Sequence, residues 1–318
     1  MVDSTQLAES KSIHRETGKT FYYATRLLPE RVRRPTYVLY AFFRVADEVV
    51  DDPDGLSAAE QHERLVEIRD AALGREPTDD PVLSAFSEVR ERHGIPDEEV
   101  EQFIDAMRTD IEKSRYETYG ELEAYMRGSA AAVGVMMTII MKTDEDDSAL
   151  PKARRLGEAF QLTNFLRDVG EDIVDRDRIY LPQRTLEACD ADPMNIERQR
   201  FTDELGAAIE YELTRAERLY REGVSGIKYL PVDCQLPVLT AAVLYADHHR
   251  LIRDRGFDTV TATPSIGTAR KLSLVAKTRW YWIWNKDPEA VFAKVSEISM
   301  VEDDPTPKTR PGDPVPMR

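Results

Sequence analysis

The sequence is short of the residues that build disulfides, zinc sites and hairpins. Its 318 residues include two cysteines, Cys189 and Cys234, which make neither a disulfide framework nor a zinc cluster. The five histidines form no H-E-x-x-H pattern and none follows a glutamate by three residues, which sets aside zinc proteases and E-x-x-H di-iron bundles. Glycine is scarce at 15, and no hairpin dipeptide sits between alternating residues. Basic charge is short too: 43 lysines and arginines, only 11 of them lysine, face 59 acids, for a net charge of −16. Such a surface repels nucleic acid and anionic lipid, so no nucleic-acid partner is expected. It also suits work in concentrated salt, and a halophilic source is the expectation. The start, MVDSTQLAES, has neither a basic run nor an apolar one, and the longest apolar stretch, Ala130 to Met141, falls short of a bilayer span. A cytoplasmic protein is expected, with loose membrane association left open.

What is present is helical periodicity almost throughout, which points to an all-α fold. No linker interrupts the pattern, so one helical domain is expected over residues 12–290. An extension, 1–11, precedes it, and a polar, proline-rich tail, 291–318, follows it, disordered towards its end. A short aromatic helix from Thr20 should stop at Pro29. Ser57-Ala-Ala-Glu60 is a capping box opening a helix, and further helices are predicted over 81–92, 96–113, 119–142, 148–174, 200–223, 234–255 and 264–285. The aromatic cluster closing the last of these, Trp280, Tyr281, Trp282 and Trp284, reads as a packing anchor.

Two of these helices carry acids where a buried helix should have none. In TYVLYAFFRVADEVVDD, residues 36–52, apolar side chains leave almost no polar face, yet Tyr40, Arg44, Asp47 and Asp51 share one stripe. An Arg44–Asp47 pair at i, i+3 is the plain explanation of that stripe taken alone. A second helix repeats the pattern, with Asn164, Asp168 and Asp172 at i, i+4, i+8 and Gln161 and Arg167 beside them, among Phe160, Leu162, Phe165, Leu166 and Val169. Buried carboxylates must be paired, metal-bound or lining a wet cavity. If the two helices face one another they form an oxygen-only site, which suits Mg²⁺ together with substrate phosphates. Arg44, Arg167 and Arg178 could hold the phosphate oxygens that carboxylates cannot. The ligand implied has a diphosphate head and a hydrocarbon tail. Phe21, Tyr40, Tyr125 and Tyr245 are candidates for stabilising a cation through their ring faces. Small residues from Gly128 to Gly134 serve either close helix packing or room for a long ligand.

YAFFRVADEVVD (Tyr40 to Asp51) and FQLTNFLRDVGEDIVDRDRIYLP (Phe160 to Pro182) resemble the two aspartate-rich motifs of the squalene/phytoene synthase family. TGKTFYYATRLLP and YMRGSAAAVG fit its flanking segments, and the resemblance covers roughly residues 12 to 285. It implies the helical isoprenoid synthase fold, with a central cavity between two aspartate-bearing helices. It further implies Mg²⁺, or Mn²⁺ in its place, held by Asp47, Asp51, Asp168 and Asp172 with Asn164 assisting. Arg44, Arg167 and Arg178 match diphosphate positions; Tyr40, Tyr125 and Gln161 match pocket positions, with Tyr180 and Tyr245 as further substrate contacts. Thr20 and Phe21 fall in the family's S-x-S/T-F segment, where Gly18 replaces the first serine, and the middle motif departs at Met126, Arg127, Ser129 and Ala131. The reaction implied joins two identical allylic diphosphates head to head through a cyclopropyl diphosphate. RDVGED followed by DRIYLP has the style of members that join two C20 diphosphates without reduction, so NADPH is not expected. Members using C15 diphosphates are the alternative, and an inactive relative acting in assembly is the non-enzymatic one. Release of an apolar product leaves room for a peripheral membrane contact; no oligomeric state is implied.

Overall fold

The computed structural model describes residues 25–51, 55–141 and 148–300, so Thr20, Phe21, Pro53, Asp54 and the tail from Val301 lie outside the described residues. Within them the fold is all helical, and one isolated bridge between Arg115 and Ile179 stands in place of any strand. Helix α1 (Glu30–Asp51) packs on α2 (Ala58–Ala72), α3 (Pro81–His93) and α4 (Asp97–Glu112). Its apolar stripe supplies Phe42, whose ring stacks 3.9 Å from Phe86 of α3 and lies 5.5 Å from Phe103 of α4. The capping box predicted for α2 forms, with Glu60 N–H donating to Ser57 Oγ and Ser57 N–H donating to Glu60. Gly94, at φ 69°, ends α3 in the left-handed region.

The single helix predicted over 119–142 is divided. Helix α5 (Tyr119–Met126) runs through a π turn (Arg127–Ala131) into α6 (Ala132–Met141). By length and apolarity Tyr119–Met141 could cross a membrane, but its most apolar window is 67% buried inside the fold. The predicted helix over 148–174 is likewise two, α7 (Ala149–Arg167) and α8 (Val169–Arg176), with Asp168 at the joint. The cause is a backbone wedge. Gly170 N–H donates to Thr259 O at 3.0 Å rather than continuing the helix, and a Cβ on Gly170 would lie 2.0 Å from Val260 O. After α9 (Gln183–Ala188) and α10 (Met194–Glu197) come α11 (Asp203–Val224), α12 (Val232–Asp254), α13 (Thr268–Trp284) and α14 (Pro288–Val295).

Helix α7 is the central element, against α6, α11 and α12. It approaches the π turn so closely that a Cβ on Gly157 would sit 2.5 Å from Ala130 O. A buried polar chain pins it from behind: Thr163 Oγ1 lies 2.9 Å from His249 Nε2, and His249 Nδ1 lies 3.4 Å from Glu217 of α11. One boundary and one cluster differ from expectation. Val291, Phe292, Val295 and Ile298 are buried, so packed structure extends past the expected limit at 290. Of the aromatic cluster expected to anchor α13, only Trp282 is buried, while Trp280, Tyr281 and Trp284 face outward.

Gly170→Ala should cost about 1–3 kcal/mol in denaturant unfolding, because the added methyl meets backbone and not a movable side chain. Wild-type stability in this variant would mean that the segment around Val260 yields freely.

Candidate active site

The two acid stripes face one another. On α1, Tyr40, Arg44, Asp47 and Asp51 follow a single face; across from them Asn164, Asp168 and Asp172 follow another through the α7–α8 joint. Asp168 N–H donates to Asn164 O at 2.9 Å and Asp172 N–H to Asp168 O at 2.7 Å, so the stripe survives the break in the helix. Arg176, one turn beyond Asp172, joins the halves: its Nη1 lies 3.2 Å from Asp172 and its Nε 3.3 Å from Asp51. Arg167 Nε donates to Asp168 at 2.6 Å. The Arg44–Asp47 pair exists, but loosely at 3.4 Å, and Arg44 Nε is buried with no hydrogen-bond partner.

A fifth acid, Asp110 of α4, stands among them. Its Oδ2 accepts from Tyr125 Oη at 2.7 Å and lies 3.9 Å from Arg178, whose Nη1 is 3.7 Å from Asp51. The other carboxylate oxygen, Oδ1, is buried and has no partner. Burial raises the Asp110 carboxyl to about 6 against the pull of Arg178 and the Tyr125 hydrogen bond. Burial raises Asp47 to about 7; Arg44 pulls it down while Asp51 and Asp110 push it up. Burial and the adjacent Asp168 raise Asp172 to about 7, opposed by Arg176. In all three, burial outweighs the arginines that face them.

Asp110 and Arg176 are not among the residues expected from sequence, although both carry a signal. Asp110 extends the buried stripe Phe103, Met107 on α4, the pattern that singles out Asp47. Arg176 continues the i, i+4 series of Asn164, Asp168 and Asp172.

One turn inward from the acids opens a cavity of about 740 Å³. Tyr40, Phe43, Gln161, Asn164, Arg167 and Tyr245 line its acidic end, and Val133, Met137, Leu156, Gly157, Ile227 and Leu230 line the remainder. At about 1.5 Å per residue the α7 wall from Ala149 to Asn164 is about 22 Å long. Phe160 and Tyr245 stack at 4.5 Å along it. The small residues of the middle segment do both jobs expected of them: a Cβ on Gly128 would lie 2.2 Å from Gln102 O and one on Gly134 2.5 Å from Ala153 O, so these two allow close helix packing, while Ser129, Ala130 and Val133 line the cavity. Tyr125 and Tyr180 do not line the cavity. They belong to a buried ring stack in which Tyr180 lies 3.7 Å from Phe165, and Tyr125 acts through its hydrogen bond to Asp110. Arg178 is buried, with Nη2 donating to Asp110 O at 2.9 Å.

Among the described residues no three acids, cysteines or histidines converge closely enough to chelate a bare cation. Mg²⁺ does not demand that, because it takes one or two carboxylates and completes its shell with water and substrate phosphate. The donor set is all oxygen, Asp110 Oδ1 has no partner, and burial raises the Asp47 and Asp172 carboxyls, which fits a hard divalent ion.

Asp172→Asn removes one charge at constant size. In chelator-treated protein the variant should be more stable than the wild type by about 1–3 kcal/mol at neutral pH. The folded carboxyl lies at about 7 against an ordinary 3.8, so the wild type carries a folding penalty that is absent below 3.8 and complete above about 7. The advantage should grow across that window in denaturant melts. A pH-independent difference would show that Arg176 already neutralises Asp172.

The chain matches the Squalene/phytoene synthase family over residues 14–277. It is 34% identical over 284 residues to a phytoene synthase of Rhodobacter capsulatus, covering 87% of this chain and 82% of that one. It is 30% identical over 277 residues to a 15-cis-phytoene synthase of Synechocystis, covering 82% and 81%. Its fold superimposes on a dehydrosqualene synthase in complex with ligand at a TM-score of 0.77 and 28% identity, over 88% of this chain and 98% of the other. A squalene synthase from Alicyclobacillus acidocaldarius superimposes at 0.72 and 25% identity, over 80% and 95%. Matched over most of its length in sequence and in fold, with its two acid stripes joined through Arg176 beside one cavity, the chain belongs to the squalene/phytoene synthase family.

Proposed function

We propose that this protein is a prenyltransferase that condenses two molecules of geranylgeranyl diphosphate head to head, through a cyclopropyl diphosphate, to phytoene, the first committed step towards carotenoids. The observation that carries the reading is the junction of two environments: the facing carboxylates and arginines lie next along the stripes from Tyr40, Asn164 and Arg167, which line one end of a cavity whose other walls are largely apolar over about 22 Å of α7. The relatives named phytoene synthases, at 34% and 30% identity, support the C20 substrate over the C15 alternative.

Each end has a task. Arg44, with a buried and unengaged Nε, and Arg167, on the cavity wall, are placed to take diphosphate oxygens. Asp47, Asp51, Asp168 and Asp172, with Asn164 and Asp110 beside them, would hold Mg²⁺ or Mn²⁺, which when bound supplies Lewis-acid charge to the leaving diphosphate. The apolar wall excludes water, which would otherwise trap a cation. Phe43, Phe160 and Tyr245 turn ring surface to the same space and stabilise positive charge without offering a nucleophile. One substrate leaves its diphosphate and the second attacks through its double bond; proton loss closes the three-membered ring. A second ionisation, rearrangement and proton loss end the reaction with two diphosphates released and no hydride required. The acidic surface supports a salt-adapted enzyme, so concentrated potassium chloride is the assay medium.

C20 diphosphate with Mg²⁺ and no NADPH should give a C40 hydrocarbon, identified by mass spectrometry. A C30 product formed preferentially from C15 diphosphate would replace this assignment with the dehydrosqualene or squalene type, and absence of diphosphate release from either would favour an inactive relative. Asp168→Ala should lower turnover by roughly a thousandfold with helix content unchanged. Retained turnover would remove Asp168 from the machinery.

A further inference from the structure

Helix α13 is apolar on two opposite faces, and only one of them is used inside the fold. Leu274, Thr278 and Trp282, at i, i+4, i+8, form its buried seam. Leu272, Ala276, Trp280, Ile283 and Trp284 share the outward face, where Trp280 is 60% and Trp284 77% exposed. Aromatic and aliphatic side chains of this size, gathered on one exposed face, mark a docking surface. Its charge is unlike that of the rest of the chain. Helix α13 contains Arg270, Lys271, Lys277 and Arg279 and no acid, in a protein of net charge −16. Lys277 and Arg279 are exposed on either side of the apolar face, and Lys286 follows with its ammonium 5.1 Å from the Trp282 ring. The two acids next in the chain are engaged: Asp287 caps α14 and Glu289 pairs with Lys228 at 3.2 Å.

Two contacts place this face in the molecule. Arg270, at the start of α13, binds Asp247 late in α12 at 2.6 Å. The Lys228–Glu289 pair then brings the chain just after α13 back to the segment preceding α12. The tryptophan end of α13 therefore lies at the same end of the fold as Tyr229 and Val232, the latter 78% exposed. Ile227 and Leu230, interleaved with Lys228 and Tyr229, line the cavity, so the exposed surface adjoins the cavity wall.

We infer that the outward face of α13, extended by Tyr229 and Val232, is a docking surface for a lipid bilayer, with tryptophans in the interfacial layer and Lys277, Arg279 and Lys286 against anionic head groups. Tryptophan beside lysine and arginine on one side of a surface helix is the composition of a helix lying in the membrane interface. The local positive charge complements anionic lipid, which the rest of the chain repels. A bilayer also fits the proposed function on which this part of the reasoning rests, since an amphiphilic substrate and a hydrocarbon product are both stored in lipid and the surface adjoins their cavity.

Flotation with vesicles tests it without substrate, so its outcome is separate from the identity of the product. Wild-type protein should float with equimolar phosphatidylcholine and phosphatidylglycerol, and its tryptophan emission should shift to the blue. Trp280→Ser with Trp284→Ser should lower partitioning by at least about tenfold and abolish the shift, leaving only Trp282. Lys277→Glu with Arg279→Glu should weaken binding to the anionic vesicles and leave binding to phosphatidylcholine alone unchanged. Both double variants should turn over detergent-dispersed substrate at the wild-type rate, which shows that they fold. Wild-type protein remaining in the aqueous fraction, or a tryptophan double variant that floats as well as wild type, overturns the proposal. So does a wild-type dimer that the tryptophan substitutions dissociate, which would make the face a subunit contact.

Discussion

Carboxylates from three helices gather beside the cavity, three of them raised by burial, and the rest of the structure is arranged around them. Asp47 and Asp51 come from α1, Asp110 from α4, and Asp168 and Asp172 from the α7–α8 joint. Arg167, Arg176 and Arg178 each lean on one or two of them, yet Asp47, Asp110 and Asp172 still have carboxyls raised well above the ordinary range by burial. Leaving buried charge uncompensated is costly. A site that retains such a cost in its free state gains most when a cation and a phosphate group arrive together, one satisfying the acids and the other the arginines. Stability is held back at the place where binding restores it.

The cavity follows from a different constraint. Helix α7 must pass close to the π turn and to α6 while leaving a long open channel along the same wall. Gly157 against Ala130 and Gly134 against Ala153 allow the first, and the small side chains of Ser129 and Ala130 leave room for the second. The joint at Asp168 gives the acid stripe its aim. A backbone carbonyl at Val260 presses where the side chain of Gly170 would be, and the next turn restarts as α8 with Asp172 and Arg176 turned towards Asp51.

Much of this was legible in the chain. Acids on an apolar stripe announced Asp47, Asp51, Asp168 and Asp172, because burial and charge conflict within a single helix whatever surrounds it. The same reasoning applied to Phe103, Met107 and Asp110 would have found the fifth acid, and carrying the second stripe one turn further would have found Arg176. Tyr125 and Tyr180 look like cavity residues in sequence but lie behind it, since aromatic residues suit a ring stack and a substrate wall equally well. The reading of Trp280 and Trp284 as anchors failed for a related reason: periodicity gives spacing on a helix, and α13 has two apolar faces at that spacing.

Helical class, most element boundaries, the two acid stripes and the family resemblance follow from the order of residues, because helical period, capping and the cost of burying charge all act within one helix. Which stripes meet, the bridge from Arg176 to Asp51 and Asp172, the place of Asp110 among them and the face of α13 left outside all depend on packing. Those are relations between helices distant in the chain. They are set by where one backbone can approach another, at Gly157 against Ala130 and at Gly170 against Val260, and a local pattern of residue types does not carry that information.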